Sequence, residues 1–240
     1  MTQATKSNNR AKKFKVFKLN KNKFNFQNTL KEIIFNKFEG QIDTGEMMDA
    51  LLNKAYKSNI KIINNVSVKT YEDIGPSVKV HTNQFAISCN KLFIATNGFS
   101  ESIIQEKVVP ARAQVLITKP IKNLKVIGTF HFQQGYYYFR NIDDRILLGG
   151  GRNLDFHIEN TNQFGVTDTI QSKLEQLLTD VILPQSNFEI EQRWSGIMGI
   201  GNKKTTITKQ LSNNVYCGVR LGGMGVAIGT NIGSELANLI

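Results

Sequence analysis

The 240-residue sequence is poor in the groups that hold metals or disulfides and in long apolar runs. Its two cysteines, Cys89 and Cys217, lie far apart and outside any CxxC spacing. That argues against a disulfide framework or a zinc ribbon and fits reduced, buried thiols in a cytoplasmic protein. His81, His131 and His157 are isolated from one another and from the cysteines, so no metal cluster is expected. The first 30 residues hold no apolar core of signal-peptide length, and no secretory leader is expected. The most apolar stretch, Val215 to Ile240, is studded with Gly and polar residues and does not read as a transmembrane span. No Gly-Lys-Ser/Thr follows a glycine run, which excludes a Walker loop. No repeat of solenoid length is present.

Charge is present but unevenly placed. The net charge of +11 would ordinarily suggest nucleic acid or an anionic surface. Residues 1–31, however, carry nine of the 30 Lys and Arg and no acid, leaving 21 basic and 19 acidic residues from Glu32 onward. The body is close to neutral and the excess is terminal. It reads as a solvated tail, with an electrostatic nucleic-acid contact as the alternative. The body does not interleave aromatic and basic residues, so no nucleic-acid partner is expected.

Periodicity sketches the elements. Asp43-Thr-Gly-Glu46 offers a cap and an early acid, and Met47, Met48, Leu51, Leu52 and Ala55 recur at helical spacing, predicting a helix over 45–58. Residues 26–38 suggest a short helix or turn. Strand character follows over 59–72, then from Val78 and from Phe85, as a small meander. Residues 91–98, Lys-Leu-Phe-Ile-Ala-Thr-Asn-Gly, read as a buried parallel strand running into a turn. Beyond Pro110, alternating segments at 114–118, 129–132, 136–140 and 145–149 predict an antiparallel sheet, then a helix over 167–178 and a strand over 188–196. A short strand at 215–219 ends in Arg220-Leu-Gly-Gly-Met-Gly225 and a last helix. Strand, glycines and helix together let backbone approach a ligand, with N–H groups at the helix start that attract partial negative charge. A turn that serves only packing has the same composition. It is not the dinucleotide fingerprint, which needs a βαβ unit and a later acidic residue.

Six motifs in order resemble the FAD-dependent oxidoreductases of the D-amino-acid oxidase type. Glu39 to Gly45 before a helix is similar to their "G-x-I-D-P-G". Phe93-Ile-Ala-Thr-Asn-Gly-Phe-Ser100 is similar to "VxATGAWS", and Pro110-Ala-Arg-Ala-Gln-Val115 to "P-x-R-G-Q-x". Tyr137 to Gly150 resembles "YxxPxxDGRxxxGG", Arg193-Trp-Ser-Gly196 resembles "xWAGxRP", and Cys217 to Ile240 resembles the flavin-facing loop and last helix. The resemblance implies an α/β (α+β mixed) fold, an incomplete Rossmann-like FAD-binding domain interleaved with a substrate domain built on a large antiparallel sheet. The expected parts are a basic segment at 1–37, partial FAD domain at 38–109, substrate domain at 110–196, and return to the FAD domain at 197–240. The family's first strand with its G-x-G-x-x-G should precede residue 1, so a truncated chain is expected.

Roles carried over by resemblance are specific. Val68 matches a backbone contact to adenine, or is an ordinary strand valine. Thr96, Asn97 and Gly98 match a turn near the FAD phosphates or ribityl chain. Gly222, Gly223, Met224 and Gly225 match the loop at the isoalloxazine edge, where N–H groups would stabilise charge on the reduced flavin. Tyr137 matches a substrate-facing tyrosine, with Tyr136 and Tyr138 on the other sheet face. The family's carboxylate-binding arginine falls at Met198. Arg220 is the first substitute, followed by Arg112, Arg140 and Arg193. The resemblance implies non-covalent FAD and hydride transfer from a small amine or amino-acid-like substrate (CH–NH or CH–OH) to flavin. The alternative is an inactive fragment that cannot hold FAD alone and needs a complementing N-terminal chain.

Overall fold

The computed structural model describes residues 16–240; the first half of the basic segment lies outside them. In chain order the first elements are β1 (Phe17–Lys21), β2 (Glu32–Asn36), α1 (Thr44–Lys57), β3 (Val68–Asp73), β4 (Val78–Thr82), β5 (Ala86–Cys89) and β6 (Leu92–Ile94). There follow β7 (Val109–Thr118), β8 (Thr129–Phe132), β9 (Tyr137–Ile142), β10 (Arg145–Gly150) and α2 (Asp168–Leu177). The last are β11 (Ile190–Ile200), β12 (Ile207–Ser212), β13 (Val215–Val219) and α3 (Gly225–Ala237).

The chain forms two compact units. One comprises Met1–Asp43, Gln114–Leu154 and Val166–Trp194; the other comprises Thr44–Ala113, Asp155–Gly165 and Ser195–Ile240. The groupings differ from the sequence-based blocks at residues 38–43, 110–113, 155–165 and 195–196, and local contacts account for the first and third. Residues 41–42 stay with the first unit because Gln41 donates to the Asn141 carbonyl at 3.0 Å and Arg140 donates to the Ile42 carbonyl. Residues 155–165 join the second because Glu159 is tied to Arg112.

The first unit is built on a sheet of order β11-β7-β10-β9-β8, backed by α2. Period-two alternation sends Tyr137 and Phe139 inward, where they join Leu116, Ile146, Leu148, Ile170 and Leu174 in one core. Burying each such aliphatic side chain contributes about 1.5–3 kcal/mol. Ile170, Leu174 and Leu177 recur at helical spacing and supply the helix side of that core. A wider π-helical turn, Leu178–Ile182, continues α2 and keeps Leu178, Val181 and Ile182 buried. Residues 32–36 are strand rather than helix or turn. The run Glu-Ile-Ile-Phe-Asn is rich in β-branched and aromatic residues and pairs antiparallel with β1.

The second unit holds the meander β3-β4-β5 and the sheet β12-β13-β6. β13 and β6 are parallel, with Val215, Tyr216 and Cys217 opposite Leu92, Phe93 and Ile94. Val215, Cys217 and Val219 are fully buried with Val78, Val80 and Ile94, so this strand is apolar throughout because both its faces are covered. Its inner residues pack under α3: a Cβ on Gly218 would stand 3.1 Å from Leu236 and 3.3 Å from Ile232. Residues 60–67 are not strand. Ile60, Ile62 and Ile63 are exposed and pair with no strand among the described residues, and α1 buries none of its residues fully.

Candidate flavin-facing site

Three segments of the second unit converge. They are the 3-10 turn Asn97–Phe99 after β6, the Met198–Gly199 end of β11, and the glycine turn before α3. Asn97 adopts a left-handed backbone, φ 44°, a conformation that asparagine tolerates better than most residues. Its Oδ1 accepts the Leu221 N–H at 3.0 Å, and Gly199's carbonyl accepts the Gly222 N–H at 2.9 Å. A Cβ on Gly199 would fall 2.6 Å from Asn97 Oδ1, so this contact is tight. Gly98 is required here by packing: its Cβ would meet the Met198 carbonyl oxygen at 2.7 Å. Thr96 caps the turn through its carbonyl, which accepts the Phe99 N–H; its side chain makes no cap bond.

The glycine turn itself is open. Gly222 has φ +58°, and a Cβ there would meet nothing within 4 Å; one on Gly223 would meet Met198 Sδ at 3.7 Å. Met224 is exposed, and its N–H donates to Leu221. Among the described residues, the N–H groups of Gly223, Gly225 and Val226 donate to no acceptor. Unpaired donors beside open space at the start of α3 suit an electron-rich ligand edge. Among the described residues, none lies within 4 Å of where a side chain at 222 would start, and only Met198 Sδ, at ordinary contact distance, borders 223. The donor set and the space fit a flat, carbonyl-bearing ring.

The arginines are mostly engaged. Arg112 grips Glu159 in a bidentate pair, Nε and Nη2 each at 2.9 Å, with both side chains buried. The hydrogen bond to Glu159 holds the Arg112 pKa above its ordinary value despite burial, so Arg112 is committed to that carboxylate. Arg193 pairs with Glu175 at 2.9 Å. Arg220, φ 63°, donates to the Thr205 carbonyl at 2.8 Å, the Thr205 hydroxyl at 3.2 Å and the Lys107 carbonyl at 3.4 Å. These contacts hold the approach to the glycine turn.

Tyr137, expected to face a substrate, lies on β9. It is 1% exposed, and its ring lies beside Ile170 and Gly151 in the core of the first unit. Alternation puts Tyr138 on the opposite face, over Gly149, with burial raising its phenol pKa. A molecule at that face would therefore meet Tyr138. Val68 opens β3 opposite Thr82, beside an irregularity at Lys69, with its side chain partly exposed. Met198, the position where an arginine was missed, lines the glycine turn with a thioether. The clamp made by the Asn97 side chain was not read from the sequence, although Asn before Gly in a strand-end turn is a signal for left-handed backbone.

The second unit carries a parallel strand pair, a glycine turn and a helix packed over it. The family model "FAD dependent oxidoreductase" (DAO) matches residues 17–239, and the chain belongs to that family. Among solved structures, the chain is similar to L-proline dehydrogenase from P. horikoshii, at 21% identity and TM-score 0.81, covering 100% of this chain and 69% of that one. It is similar to glycine oxidase from Bacillus cereus, at 14% identity and TM-score 0.74, covering 97% and 63%. It is also similar to an L-amino acid deaminase from Proteus vulgaris, at 15% and 0.74, covering 98% and 64%. The chain thus spans about two thirds of the length of these structures. No curated protein matches the sequence. Among the described residues no helix is long and apolar enough to cross a membrane, and no cluster of three metal-ligating side chains occurs.

Proposed function

We propose that this chain forms the flavin-edge and substrate-facing part of an oxidoreductase that takes a hydride from the CH–NH, or CH–OH, carbon of a small molecule. Bound FAD, held without a covalent link, supplies the hydride acceptor at its N5. The observation that carries the reading is the trio of unpaired N–H groups at Gly223, Gly225 and Val226 beside the open glycine turn. Donors fixed in advance at such an edge stabilise negative charge that develops there without reorganising. Val68 and the Thr96–Gly98 turn are the proposed contacts for the remainder of the cofactor.

The substrate is proposed to be a small amine or amino-acid-like molecule. Met198 offers no charge to a carboxylate, and Arg112 is already paired. Arg220, which has backbone carbonyls and a hydroxyl as partners, is the proposed carboxylate contact if one exists. The similar structures named above are enzymes named for amino acids, so two substrate series decide the point: simple amines and their α-carboxylated analogues. Purified chain is titrated with FAD, flavin fluorescence quenching is followed, and bound flavin is then mixed anaerobically with each series. Quenching followed by bleaching with one or both series is expected; bleaching only by the carboxylated series would assign a carboxylate contact, and bleaching by neither would overturn the substrate assignment.

A second reading is that FAD is held only when a complementing polypeptide is present. It is favoured by α1, which buries no residue fully, and by β6, which among the described residues pairs with a strand on one side. Failure of the titration above, in well-folded protein, is the outcome that selects it.

A further inference from the structure

We infer that Asn97 is a positioning residue that aims the free donors of the glycine turn, an inference that rests on the flavin reading of that turn. The turn has five consecutive residues, Leu221 to Gly225; the Met224 N–H closes it on the Leu221 carbonyl, and the other N–H groups fall into two sets. Leu221 and Gly222 donate inward, to Asn97 Oδ1 at 3.0 Å and to the Gly199 carbonyl at 2.9 Å. Gly223, Gly225 and the adjoining Val226 donate to nothing among the described residues. The first set is the anchor that gives the second its direction. Glycines have little conformational preference of their own, so a turn containing three of them needs an external constraint to keep its donors aligned.

Asn97 supplies that constraint from a different part of the sequence. The Ser100 hydroxyl donates to the Asn97 carbonyl at 2.6 Å, and Gly98 is pressed against the Met198 carbonyl, so the backbone carrying Asn97 is itself fixed. Its left-handed φ of 44° turns the short amide side chain toward Leu221 and Gly199. Glycine would tolerate this backbone and lose the acceptor; aspartate would tolerate it and keep one.

That asymmetry provides the test. Three proteins, wild type, Asn97→Gly and Asn97→Asp, are compared by amide hydrogen exchange over residues 219–226, by FAD titration and by the midpoint potential of the bound flavin. Asn97→Gly is expected to lose protection at Leu221, to bind FAD roughly tenfold more weakly, the equivalent of one net hydrogen bond, and to shift the potential downward. Asn97→Asp is expected to keep the Leu221 protection that Asn97→Gly loses. Unchanged Leu221 exchange and unchanged FAD affinity in Asn97→Gly would overturn the inference. If wild type itself binds no FAD, the complementing-polypeptide reading is selected and the FAD arms do not apply; the exchange at Leu221 then decides the anchor by itself.

Discussion

At the scale of single residues, the side chains that shape the second unit are short, half-buried polar ones at turns and strand ends. Asp73 accepts from the Ser212 hydroxyl at 2.6 Å, the Asn214 backbone N–H at 2.9 Å and the Asn214 amide at 3.1 Å, which joins β3 to the β12–β13 turn. Those donors, the serine first, lower its pKa from 3.8 to about 2. A carboxyl whose pKa is lower in the folded state stabilises the fold above its unfolded pKa, and that stability is lost as pH falls toward the folded value. Asp73→Asn is therefore expected to lower the melting temperature at pH 6. The gap to wild type should close as pH falls from about 4 to about 2. Thermal melts at stepped pH check this, and a gap independent of pH would show that the carboxylate charge is not what the turn uses. None of this was legible in the sequence, because Asp73 and Asn214 meet only through tertiary pairing. Asn97 is an intermediate case, since its local conformation was readable and its partner was not.

At the scale of elements, the legible parts were those whose pattern and partners are both contained in the chain. Strand β8 and helix α2 fall at or within a residue or two of their expected places because alternation or helical spacing decided which face is buried, and β13 does because it is apolar throughout; α1 falls there on helical spacing alone, since it buries no residue fully. Residues 59–67 have the strand pattern of Ile60, Ile62 and Ile63 yet form no strand, since a strand needs a neighbour to pair its backbone. β12 was missed because Thr-Ile-Thr-Lys-Gln carries little apolar signal; it is held by its pairing to β13. The 3-10 turn at Asn97–Phe99 is the element on which the site depends, and Gly98 is its contact point with β11. Gly98→Ala would place a methyl 2.7 Å from the Met198 carbonyl oxygen and 2.9 Å from the Ile197 side chain. Backbone cannot yield as a flexible side chain does, so a loss of about 1–3 kcal/mol is expected in chemical denaturation. Full retention of stability would mean that the turn moves off β11 at little cost.

At the scale of the whole molecule, two separate cores define two units, and the glycine turn belongs to one of them. The cluster around Leu116, Tyr137 and Leu174 lies in the first unit, and the cluster around Val78, Val215 and Val219 lies in the second. Asn97, Met198, Gly199 and the 221–225 turn all fall in the second. A ligand that binds only the folded form adds stability in proportion to the logarithm of its concentration over its dissociation constant. At a hundredfold excess over that constant the gain is about 2.7 kcal/mol. If FAD binds at the turn, the gain is delivered first to the second unit. The amides of β13, buried along its whole length, should then exchange about a hundredfold more slowly with FAD present. The amides of α2 in the first unit should change less. Native-state hydrogen exchange with and without FAD measures both sets in one experiment. Slowing in α2 with none in β13 would place the ligand elsewhere, and the glycine turn would then have to be read as packing alone.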